Sequence, residues 1–139
     1  VGTNTTQVAT TALVQAEIAN KRAWSTWVPT ITSQSGTYTS IAATLARYVV
    51  IYGICYFQLK IKVTTKGTGV MPTFTLPFTA LTGTDLMSFP AQEGFNNAIG
   101  GTAQVATDLA HAIIRNYAAG DLVTADGAIV TVQGFYPIA

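Results

Sequence analysis

Side-chain chemistry needs a nucleophile, a base or a pair of acids, and this chain of 139 residues offers one histidine, one cysteine and six acidic residues. His111 stands in Ala110-His111-Ala112-Ile113 with no second histidine or cysteine nearby, so a zinc site would have to be assembled across subunits. A packing or surface histidine is the simpler reading. Asp85 and Glu93 are the two acids that would serve as glycosidase carboxylates, yet both fall in one irregular, glycine-rich segment, where two acids are a common accident. There is no Gly-x-Ser-x-Gly elbow, no phosphate-binding loop and no His-Glu-x-x-His pair. Cys55 has no partner for an intramolecular disulfide and reads as a buried thiol acting as a small hydrophobe. The inventory argues against an enzyme, and neither a cofactor nor a metal is expected.

Binding is the better class. The chain is rich in Thr, Gly, Asn and Tyr, and its hydroxyl and amide groups suit neutral hydroxylated ligands such as glycans. The candidate contacts are Tyr52 at a hairpin tip, Tyr56 on the wet face of a strand, and Gln92, Glu93, Asn96 and Asn97 in the irregular segment. Each has a plainer alternative: Tyr56 covers the sheet or a subunit interface, and the asparagines form turns. Trp24 and Trp27, three apart, would either make a sugar-stacking platform or staple a helix onto the domain.

Only 9% of residues are charged while 49% are hydrophobic, so part of the apolar surface is expected to meet another subunit. Net charge is +1 and no basic cluster exceeds Lys21-Arg22, which argues against nucleic acid and against an anionic membrane surface. The apolar run from Tyr48 to Phe57 is broken by Gly53 and is too short to span a bilayer, and no signal peptide opens the chain. A sequence beginning at Val1 reads as a fragment or processed product of something longer.

The element that positions these residues is Ile54 to Thr65. Cys55, Phe57, Leu59, Ile61 and Val63 alternate with Tyr56, Gln58, Lys60, Lys62 and Thr64, which predicts a strand with one dry and one wet face. Such a strand belongs to an antiparallel sheet, and hence to a β-sandwich. Tyr52-Gly53 predicts a two-residue turn joining Arg47–Ile51 to this strand. Residues 3 to 23 predict a helix whose thin apolar stripe, Val14 and Ile18, must find a sheet or copies of itself. Pro29 stops it. Further on, a short strand and a bend are expected between Tyr38 and Ala46, and Phe74, Leu76 and Phe78 are expected to face inward. Met87–Pro90 and Asn97–Gly100 are the strand pieces expected in the irregular segment, Gln104–Ala106 another, and Thr107-Asp108 a turn. Asp126-Gly127 is a hairpin signal ahead of a closing strand, Ala128 to Tyr136. About eight strands result, as in a sandwich or jelly roll.

Several separated stretches resemble one family. Gly2 to Ile18, Gly-Thr-Asn-Thr-Thr-Gln-Val-Ala-Thr-Thr-Ala-Leu-Val-Gln-Ala-Glu-Ile, is similar to a segment that recurs in bacteriophage and prophage tail fibres, with Leu13 where Phe is usual. Trp27-Val28-Pro29-Thr30, Gly36-Thr37-Tyr38-Thr39, Ala46-Arg47-Tyr48, Phe57 to Val63, Thr75-Leu76-Pro77-Phe78 and Gly134-Phe135-Tyr136 resemble, in the same order, the C-terminal domains of such fibres. The resemblance implies a homotrimeric, virion-exposed tip that attaches to the bacterial surface, often to lipopolysaccharide or capsular sugars. The stretch from Gly94 to Ala110 matches no pattern of the family, so no binding residue is carried over.

The expectation is thus an all-β, jelly-roll-like antiparallel β-sandwich tip over residues 27–139, trimeric, with a short N-terminal helical stem segment over 1–26 whose trimer contacts are Val14 and Ile18. It would bind bacterial surface polysaccharide without catalysis, as the end of a longer fibre. Two rivals stand beside it: a trimerisation or folding module with no receptor contact, and a glycan-degrading enzyme.

Overall fold

The computed structural model describes residues 23–83, 87–95 and 99–139, with Ala12, Gln15, Ala16 and Ile18 as isolated positions before them. Among the described residues, nine strands make one sheet: β1 (Ser25–Thr26), β2 (Ile31–Ser35), β3 (Ser40–Ile51), β4 (Ile54–Thr65), β5 (Val70–Thr75), β6 (Ser88–Glu93), β7 (Gly100–Val105), β8 (His111–Asn116) and β9 (Ile129–Pro137). Their spatial order is β1-β3-β4-β9-β6-β7-β8-β5-β2, and every pairing is antiparallel. The protein is an all-β domain built on a curled antiparallel sheet whose inner face is the core.

β4 has the predicted bounds and the predicted faces. Cys55, Phe57, Leu59, Ile61 and Val63 are all buried, because alternate side chains of a pleated strand share one face. Phe57 is the hub of that core, with the rings of Phe89, Tyr136, Phe74 and Trp27 at 5.0, 6.0, 6.1 and 6.3 Å. Tyr52 and Gly53, with φ of 50° and 75°, make the two-residue β3–β4 turn, a geometry that suits the right-handed twist of the flanking strands.

β3 is longer than expected and runs unbroken back to Ser40. Ala43 pairs with Ile61 and Leu45 with Lys60, so Thr44 is an extra residue bulged out of the ladder. Inward positions are Ile41 and Ala43 before it and Ala46, Tyr48 and Val50 after it. The bulge shifts the alternation from odd to even numbers, and that shift is what imitates a bend in the sequence.

The two edges of the curled sheet are joined by the segment between β1 and β2. β1 pairs with β3 and β2 with β5, so residues 27–30 cross from one edge to the other. Trp27 holds the crossing. Its backbone N–H donates to Ala46 O at 3.3 Å, its indole Nε1 donates to Thr75 O at 3.2 Å, and its ring meets Tyr48 edge-on at 6.2 Å. Thr75 N donates to Thr30 O at 3.1 Å just beyond. Trp27 thus packs within the sheet, and the helix that the two tryptophans were expected to staple lies mostly outside the described residues.

Other expectations change. Asp126-Gly127 is a turn, with Gly127 at φ 79°, but it makes no hairpin with the preceding element: β9 lies between β4 and β6, and β8 between β7 and β5. The Asp126 carboxylate instead accepts from Lys66 N at 2.7 Å. Phe74 and Leu76 are buried, whereas Phe78 is exposed and packs edge-on against Tyr48 at 5.2 Å. The irregular segment supplies β6 and β7, both longer than the pieces expected. The helix over 3–23 falls mostly outside the described residues; Ala12, Gln15, Ala16 and Ile18 have helical backbone and are exposed, and Val14 lies outside the description.

Candidate functional site

The outer face of β3, β4, β9 and β6 carries the groups that the sequence leaves without a structural task. Because the inner residues of these strands alternate with outer ones, strand order decides which outer side chains become neighbours. Tyr56 on β4 pairs with Phe135 on β9, and their rings lie 5.6 Å apart at 34°. Trp24, 43% exposed, joins them over Val49 and Ile51 in an open, mostly apolar trough of about 560 Å³. Arg47 sits 4.9 Å over the Trp24 ring and donates from Nε and Nη2 to Gln58 Oε1 at 2.8 and 2.6 Å. These bonds fix Gln58's amide with its oxygen toward Arg47 and leave its two N–H donors for other partners.

Beside the trough, and sharing Gln58, Pro90 and Gln133 with it, lies a groove of about 490 Å³. Its walls include Leu45, Lys60, Gln92 and Thr131, and Tyr117 closes one end with its ring over Gly100, where an added Cβ would meet Tyr117 Cε2 at 2.8 Å. Together the two depressions offer stacking faces at one end and amide and ammonium groups at the other. That combination of stacking faces and hydrogen-bonding groups lies on one open face.

The sequence candidates divide accordingly. Tyr56 and Gln92 share this face. Tyr56 pairs with Phe135 and Gln92 with Thr131, which puts them roughly 16 Å apart across two strand spacings and four residues of β9. Tyr52 is fully exposed at the hairpin tip, beyond the trough. Glu93 is only 1% exposed, on the inner side of β6, and its Oε1 accepts from Phe95 N at 2.9 Å and from Ile129 N at 3.4 Å. It secures the strand ends there and does not join the outer face. Asn96, Asn97 and Asp85 lie outside the described residues. Sequence reasoning missed Phe135, Gln133, Lys60 and Tyr117 as neighbours. Gln58 and Lys60 were legible as wet-face residues of β4, but nothing local says that β9 and then β6 lie beside them.

Among the described residues, several other ionisable groups have structural partners. Asp121 Oδ2 lies 3.0 Å from Lys66 Nζ, and its Oδ1 accepts from Met71 N and Val123 N, tying the β4–β5 turn to the approach to β9. Burial, with the charge of Asp121 beside it, pushes the Tyr38 hydroxyl well above its ordinary pKa. Burial does the same to the Cys55 thiol and the Tyr136 hydroxyl, and the latter donates to Phe78 O at 3.0 Å. His111 Nδ1 is 2.5 Å from Asp108 Oδ2 in a turn. Among the described residues, no three of His, Cys, Asp and Glu gather where they could hold a metal ion, and no helix is long and apolar enough to cross a membrane.

Comparison of the chain with protein-family models, with curated proteins and with solved structures finds no match.

Proposed function

We propose that this chain is a non-catalytic glycan-binding domain at the exposed tip of a homotrimeric phage tail fibre, attaching the virion to bacterial surface polysaccharide, lipopolysaccharide or capsule. The observation that carries the reading is the outer-face trough, where Trp24, Tyr56 and Phe135 present ring faces beside a groove rich in glutamine amides. Aromatic faces stack on the C–H side of pyranose rings, and side-chain amides bond to their hydroxyls in both directions. The resemblance of the chain's motifs to fibre tips supplies the trimer, the jelly-roll-like sandwich and the rest of the fibre N-terminal to this domain. Three weak sites on one rigid tip gain affinity by acting together.

The test is binding of the purified domain to a panel of bacterial surface polysaccharides, with its mass in solution recorded alongside. Tyr56→Ala and Trp24→Ala each lose one stacking face and should weaken binding by roughly two- to twelvefold, with the fold unchanged. Binding that ignores both changes would remove the trough from the site. A trimerisation module is the second reading, favoured by the same face if Trp24, Ile51 and Phe135 are covered by a second subunit. It predicts that Phe135→Asp dissociates the assembly and that no polysaccharide binds.

A further inference from the structure

The charges on the sheet are one-sided. Outward positions on β3, β4, β9 and β6 include Arg47, Lys60 and Lys62, and no Asp or Glu. The described carboxylates lie elsewhere: Glu93 is buried, Asp121 is paired with Lys66, Asp108 is in the turn before β8, and Asp126 is in the turn before β9. A chain with a net charge of only +1 therefore turns a cationic face outward. Arg47 is held by Gln58 and Trp24. Lys60 lines the groove, and no described carboxylate comes within ion-pair distance of it. Since the oxygen of Gln58 is taken by Arg47, this side of the groove offers donors: the Lys60 ammonium and the Gln58 amide N–H groups. Donors on this cationic wall favour a ligand that brings acceptors and negative charge to it, while Gln92, Gln133 and Thr131 add groups of both kinds to the same groove.

We propose that the groove takes an acidic saccharide, one bearing a carboxylate or phosphate that meets Lys60, while the adjoining aromatic trough stacks on the next sugar. This rests on the glycan-binding reading above and narrows its ligand from surface polysaccharide in general to an anionic one. Lys62 is on the same face of the same strand but outside the groove, so it separates a specific contact from diffuse attraction.

The experiment measures binding of the full chain to four immobilised polymers at two salt concentrations. They are polygalacturonate, the same polymer with its carboxyls reduced, a phosphomannan, and the unphosphorylated mannan. Binding of one acidic polymer over its neutral counterpart, weakened roughly threefold or more by Lys60→Gln and little by Lys62→Gln, is the expected result. Which acidic polymer binds tells carboxylate from phosphate. Equal binding of charged and neutral polymers, unaffected by Lys60→Gln, overturns the anionic ligand while leaving glycan binding in place. Equal weakening by Lys60→Gln and Lys62→Gln overturns the groove in favour of non-specific attraction. Failure of every polymer, and of the surface polysaccharide panel, overturns glycan binding itself. Both lysines are exposed, so each variant should fold, with an unchanged thermal transition as the check.

Discussion

Replacing Trp27 by alanine should destabilise the domain by about 3 kcal/mol, because one side chain closes the sheet from both edges. Full truncation of a buried Trp costs about 3–5 kcal/mol, and Trp27 is half-buried, which selects the lower end. The separate contributions agree. Edge-on contacts with Tyr48 and Phe57 contribute about 0.5–1.5 kcal/mol each, and the indole bond to Thr75 O about 0.5–1.5 kcal/mol. Urea unfolding followed by far-UV circular dichroism, at one protein concentration, measures the loss. With an m-value of about 1.5 kcal/mol/M the midpoint falls by about 2 M. Trp27→Phe keeps most of the ring and loses the hydrogen bond, so it should cost about 1 kcal/mol. Trp24→Ala is the control; it removes an exposed ring and a stacked Arg47, about 0.5–1 kcal/mol. A Trp27→Ala midpoint no lower than that of Trp24→Ala would refute the closure argument.

Gly134→Ala puts a methyl 2.3 Å from Phe89 Cδ1 in the middle of the core and should cost about 1–3 kcal/mol, with Phe89→Leu restoring part of it in a double-mutant cycle. Tyr136→Phe leaves the N–H and C=O of Phe78 without the hydroxyl that serves both and should lower stability by about 1–3 kcal/mol, read as a fall in Tm. For Asp108, burial raises the carboxyl's pKa, but bonds from Ala110 N and from His111 outweigh it and hold the pKa below its ordinary 3.8. A depressed acid stabilises the fold above its unfolded pKa and loses that contribution as pH falls through the folded value. The stability gap between the protein and Asp108→Ala should therefore shrink as pH falls below about 4; a gap that widens over that acid range would reverse the sign.

The parts of the fold that were legible are those whose inner residues are large. β4 could be read end to end because Phe57, Leu59, Ile61 and Val63 contrast with Gln58, Lys60 and Lys62 on the other face. β6 and β7 each bury one large apolar residue, Phe89 and Val105, and otherwise Ala91, Glu93, Gly101 and Ala103, so little alternation shows. Gly101 has no room for more, since a Cβ there would lie 2.1 Å from Arg115 O. β3 carried a clear pattern, but the bulge at Thr44 changed its phase. Asp126-Gly127 was a true turn and a false hairpin, because turn chemistry is local and the choice of β4 and β6 as partners of β9 is not. The candidate site shows the same division. Tyr56 and Gln92 face outward as alternation requires, while their meeting with Phe135, Gln133 and Tyr117 depends on strand order.

The crossing between β1 and β2 also determines how the domain meets mechanical load. Traction arriving through residues before Trp24 reaches the body first at β1, whose two pairs with β3 open one after another rather than together. Trp27 is next, gripping both edges, and then the four pairs of β2 with β5. The far end is clamped differently. β9 runs between two neighbours in the middle of the sheet, and Ile138 still bridges Ala80 beyond it. A pulled molecule should yield from its N-terminal side, and the force at which it does so is set by one tryptophan.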